Sequence, residues 1–108
     1  MLTLEEARTF ALSLDDVIEQ PHFETSSFRI KNKIFLTLDA DRNRACVMLD
    51  PIQQSVFVLH DSSVIYAVPN AWGAAGATFI ELKKVRKTVF RDAVRTAYNL
   101  KSATKRKS

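Results

Sequence analysis

The fourteen residues SSFRIKNKIFLTLD, at positions 26–39, limit the fold more than any other segment of this chain. Apolar residues recur at every second position, Phe28 and Ile30 before Lys31-Asn32-Lys33 and Ile34, Leu36 and Leu38 after it, and β-branched and aromatic side chains are prominent. That is the pattern of two strands joined by a tight turn. A three-residue tip over Lys31-Asn32-Lys33 would place Phe28, Ile30, Ile34 and Leu36 on one shared face, with Ser27, Arg29 and Phe35 opposite. A lone hairpin is marginal in water, so its apolar face requires further strands and a covering layer.

The neighbouring segments supply both. Thr3-Leu4-Glu5-Glu6 is a capping box, and Leu4, Ala7, Ala11 and Leu14 follow at helical spacing with Phe10 widening the stripe. Asp15-Asp16 suits a turn. RACVML (44–49) is apolar on both faces, as a central strand is. Asp50-Pro51-Ile52-Gln53 starts a second helix, with Asp50 as N-cap, Pro51 where its missing N–H costs nothing, and Ile52, Val56 and Leu59 as the expected buried side. VIYAVP and TFIEL then form two strands, and a last helix over about 87–100 buries Val89, Phe90, Ala93, Ala97 and Leu100. The expected class is α+β: two layers, an antiparallel sheet of about five strands, and three helices, one at each end of the chain and one in the middle. Residues 1–100 form one domain, and 101–108 a basic flexible tail.

Charge is distributed unevenly. Of 108 residues, positions 1–82 carry a net charge of −5 and positions 83–108 a net +9, for +4 in all. Such asymmetry points to an acidic partner for the C-terminal part, DNA or another nucleic acid first among them. Lys83, Lys84, Arg86 and Lys87 crowd the start of the last helix, where cations oppose the helix dipole. Lys87, Arg91 and Arg95 continue along it at i, i+4, i+8, one exposed stripe. Arg29, Lys31 and Lys33 offer a second basic patch at the hairpin tip. The alternative is a solvated helix face that serves solubility alone.

Other chemistries find little support. The two histidines and several serines lie in no nucleophile motif, and one cysteine with two histidines does not build a zinc site. No catalytic residues, metal ligands or cofactor are therefore expected, and the chain is not expected to be an enzyme. WGAAGA (72–77) lacks the spacing of a phosphate-binding glycine loop. Trp72 is expected to fold over the edge of the core, with Gly73 and Gly76 supplying backbone freedom between two strands. A single cysteine, no apolar run of membrane length and no leader-like start suggest a cytoplasmic protein without a membrane partner, monomeric or weakly dimeric.

The motifs ALSLDDVIEQPHF (11–23), SFRIKNKIFLTLD (27–39), NRACVML (43–49), VPNAWGAAG (68–76) and AVRTAYNL (93–100) together resemble the MmcQ/YjbR family of small bacterial proteins, over roughly Leu4 to Leu100. The resemblance implies an α+β fold similar to CyaY/frataxin-like and secretion-chaperone-like sheets, and a DNA-binding role through hairpin wings and basic surface. No catalytic set comes with it. Ala77 stands where the family often has a second aromatic residue, and Lys84, Arg86 and Lys87 stand where it tends to be acidic. The leading expectation is a non-enzymatic DNA-binding protein contacting phosphates through the last helix and the hairpin tip. The rivals are a protein-interaction module using its sheet face or the loop at Trp72 and Gly73, and a weak frataxin-like metal binder.

Overall fold

The computed structural model describes residues 2–22 and 24–103. The chain is α+β, with a single antiparallel sheet and helices α1 (Leu4–Leu12), α2 (Pro51–Val58), α3 (Ala71–Ala74) and α4 (Lys87–Ser102). The strands are β1 (Ile18–His22), β2 (Thr25–Ile30), β3 (Lys33–Asp39), β4 (Arg44–Met48), β5 (Ile65–Ala67) and β6 (Ala77–Glu81), in the spatial order β1-β2-β3-β4-β6-β5. Six strands and four helices replace the expected five and three. The extra strand is β1, whose Pro21 argues against a strand in sequence but is tolerated because β1 is an edge. The extra helix, α3, is a single turn.

Local signals act where the sequence puts them. At α1 the Glu6 amide donates to Thr3 Oγ1 and the Thr3 amide to Glu6 Oε1, both at 3.0 Å. At α2 the Gln53 amide donates to Asp50 Oδ1 at 2.8 Å. The β2–β3 turn is tighter than expected: Lys31 (φ 54°) and Asn32 (φ 66°) form a two-residue tip with both residues left-handed. Closing two residues instead of three demands a compensation, and β3 makes it with a bulge. Phe28 pairs with Leu36 but Arg29 pairs with Ile34, which skips Phe35. Phe35 therefore joins Leu36 on the helix-covered face, fully buried and edge-on to Tyr98 at 5.5 Å. Ile34 moves to the opposite face. The two residues exchange the faces expected of them.

The covered face carries Phe28, Leu36, Val47 and Ile80, all fully buried. Above it α4 contributes Phe90, Ala93, Val94 and Ala97. Ala7 and Ala11 of α1 are buried too, and Phe10 meets Phe90 at 6.5 Å. α4 runs two residues past the expected domain end, so Lys101 and Ser102 are helical, while 104–108 of the expected tail lie outside the described residues. In α2 the expected buried side is reversed. Ile52, Val56 and Leu59 are 73%, 49% and 85% exposed, and Phe57 is the buried anchor. α2 is apolar around most of its circumference, so periodicity alone does not choose the side.

Both glycines are required, for different reasons. Gly76 has φ +122°, and a Cβ there would lie 1.9 Å from the Leu49 carbonyl oxygen. At Gly73 the constraint is proximity: a Cβ would lie 1.6 Å from the Val68 carbonyl oxygen, so only glycine lets α3 press against the end of β5. Gln54 fastens this corner from α2. Its Nε2 reaches Gly73 O at 3.0 Å, Ala77 O at 3.1 Å and Thr78 Oγ1 at 3.2 Å.

Candidate functional site

Two surfaces carry functional potential, at opposite ends of α4. The first is the cationic start of that helix. Lys83, Lys84, Arg86, Lys87, Arg91 and Arg95 are all exposed. Arg86 is the N-cap residue and makes no capping bond with its side chain, and the first turn holds no acid. The first amides of α4 and these cations therefore carry the same sign of charge. The stripe is not uniform. Lys87 Nζ bonds Glu6 Oε2 at 3.0 Å, while the guanidinium carbons of Arg91 and Arg95 stand 5.7 and 5.2 Å from the centre of the Phe10 ring. Hydrogen bonding from the Thr3 amide, then from Lys87, holds the Glu6 carboxyl below its usual range. Lys83, Lys84, Arg86, Arg91 and Arg95 form no ion pair within 4 Å among the described residues.

A cavity of about 460 Å³ opens beside this helix start, lined by His60, Asp61, Lys84, Arg86, Thr88 and Val89 among others. Asp61 lies lower than an ordinary carboxylate because the Ser63 hydroxyl and amide donate to it, with Lys84 adding a smaller effect.

The expected second half of the basic surface lies elsewhere. Lys31 Nζ donates to the Ser102 carbonyl at 3.2 Å, which pins the hairpin tip to the C-terminal end of α4. The cationic start is the other end of that 16-residue helix, roughly 24 Å away at ~1.5 Å per residue. Lys33 shares the tip with Lys31. Arg29 is not at the tip: it lies on the sheet opposite Ile34, and its Nε donates to Ser27 Oγ at 3.1 Å. The structure therefore brings six of the nine predicted cations together and leaves three apart.

The second surface is the sheet face without helices. Ile34, Met48, Val68, Trp72, Ala77 and Phe79 wall a groove of about 520 Å³ there. His22, Thr25, Thr37, Cys46 and Lys101 complete its lining. Burial pushes the Cys46 thiol up to about 11, so it stays protonated and acts as part of the wall. Trp72 does not fold over the core edge as expected. It is 69% exposed, held by α3 with its amide donating to Asn70 Oδ1 at 2.8 Å. Beyond Phe79 the face becomes polar: Arg44 lies 3.7 Å above the Phe79 ring, and Tyr66 hydrogen-bonds Glu81. The sequence names the sheet face and the loop at Trp72 and Gly73 as an alternative interaction surface, but of the groove's lining it names only Trp72 in that role. The groove's one signal was β4, whose second apolar face (Cys46, Met48) needs either a cover or a groove.

No family model matches the sequence, and no curated protein matches it. Among solved structures, the fold is similar to that of the Deinococcus radiodurans protein DR2400, which carries a DUF419 domain. The TM-score is 0.80 at 20% identity, over 98% of this chain and 81% of that one. DUF419 is related to the MmcQ/YjbR family.

Proposed function

We propose that the chain is an MmcQ/YjbR-type protein that binds nucleic acid through phosphate contacts at the start of α4, without catalysis. The observation that carries the reading is the uncapped, acid-free first turn of α4 set among exposed Lys83, Lys84, Arg86 and Lys87. A helix start selected for stability alone favours Asp or Glu there, since cations oppose the dipole by about 0.3–1 kcal/mol each at low salt. Exposed amides with flanking cations suit a phosphate oxygen. Arg91 and Arg95 extend the cationic surface along the helix. Affinity of this kind comes from counterion release and reads no bases.

The test is fluorescence anisotropy with a labelled duplex at 50 to 200 mM KCl. Lys83→Glu/Lys84→Glu/Arg86→Glu abolishes binding and flattens the salt dependence, whereas Lys31→Glu/Lys33→Glu at the far end of α4 leaves both within about twofold. Equal affinity in the first variant and the parent chain sinks the proposal. The frataxin-like metal reading has no comparable support, as no group of three His, Cys, Asp or Glu among the described residues stands ready to hold an ion.

A further inference from the structure

The groove on the open sheet face plays no part in phosphate binding, and its chemistry differs from that of the α4 start. From it we infer a separate ligand site: the groove takes a small molecule with an apolar body and one anionic group, the body against Trp72 and Phe79 and the anion at Lys101. Its volume, about 520 Å³, lies within the range of small-molecule sites. Apolar walls offer water few hydrogen bonds, so solvent there is readily displaced. Trp72 presents a large, stiff apolar surface to the groove yet remains mostly exposed, as a wall awaiting a partner is. Among the described residues, Lys101 is the one Lys, Arg, Asp or Glu in the lining, which sets the sign of the ligand's charged end. Thr25 and Thr37 add hydroxyls that donate or accept.

Two other occupants match the surroundings less well. An extended peptide would need a sheet edge for its backbone, but β1 carries Pro21 and β5 is three residues long. A second copy packed by two-fold symmetry would bring Lys101 toward the same cation of its partner.

The experiment uses two probes of related shape, anionic 8-anilinonaphthalene-1-sulfonate and uncharged N-phenyl-1-naphthylamine, titrated into the full chain. Trp72, the only tryptophan, reports binding by energy transfer to either probe. Both are expected to bind one per chain and to slow alkylation of Cys46, the only cysteine, a readout that needs no variant. Thr37→Phe narrows the groove without adding a second tryptophan and excludes both. Lys101→Gln weakens the sulfonate about fivefold, the effect of one exposed charge contact, and leaves the amine within about twofold. Binding that persists in Thr37→Phe, or that leaves Cys46 alkylation unchanged, overturns the site. Equal responses of the two probes to Lys101→Gln overturn the anionic end. A dimer in sedimentation velocity that either probe dissociates assigns the groove to a second copy and overturns the ligand. Loss of duplex binding in the Lys83/Lys84/Arg86 variant affects none of these outcomes, so the two readings fail separately.

Discussion

Replacing Gly76 with alanine tests how β4 and β6 are held together. The added methyl would sit 1.9 Å from the Leu49 carbonyl oxygen, against a contact of at least 3.0 Å for real Cβ atoms. One strand must therefore retreat by about 1 Å. The amide of Leu49 donates to Gly76 O at 3.2 Å, already long, and that bond breaks first. Thr78 Oγ1, fully buried, donates to the same carbonyl at 2.8 Å and is disturbed with it. Strain at positive φ contributes about 1–3 kcal/mol and the lost hydrogen bond about 0.5–1.5 kcal/mol. A cost of about 2–4 kcal/mol follows, or roughly 10–25 °C in Tm for a domain near this size. Urea unfolding followed by far-UV circular dichroism, at unchanged m-value, measures it. Gly73→Ala separates the two causes, because its φ is not positive and only the contact with Val68 remains. Ala75→Gly, at an exposed C-cap, is the control and moves stability by less than ~1 kcal/mol. Gly76→Ala within ~0.5 kcal/mol of the parent chain would refute the account.

Two further expectations concern side chains whose surroundings only the fold reveals. Alkylation of Cys46 by iodoacetamide should still climb about tenfold per pH unit between pH 8 and 10, followed by mass spectrometry, because burial pushes its thiol to about 11; a plateau above pH 9 contradicts this. In α2, Leu59→Lys should leave stability within ~0.5 kcal/mol while Phe57→Ala costs about 3–5 kcal/mol; the opposite ranking in urea denaturation would restore the face expected from sequence.

What the sequence disclosed and what it hid follow physical lines. Capping at Thr3 and Asp50 acts within four residues, so it was visible without the fold. The buried face of α4 was legible because Phe90, Ala93 and Ala97 contrast sharply with Arg91, Asp92 and Arg95. Phe35 and Ile34 were misassigned because a bulge depends on turn geometry, and lysine gives no hint that it will adopt φ 54°. Trp72 was misassigned because an apolar residue beside a core belongs to it by default, and only the one-turn helix α3 turns it outward. The basic cluster was visible as composition. Its separation from the hairpin tip was not, since nothing in sequence says which end of α4 meets Lys31.

The strand order has a consequence for how the protein is made. Every neighbouring pair in the sheet joins successive strands except β4–β6, which closes over α2 and β5. Residues 18–48 can zip into a meander from local contacts, whereas β4–β6 pairing must wait for residues 77–81. On a ribosome moving at ~5–20 residues per second, that wait lasts roughly two to seven seconds. For that interval β4, a central strand in the finished molecule and apolar on both faces, is a bare edge open to other nascent chains.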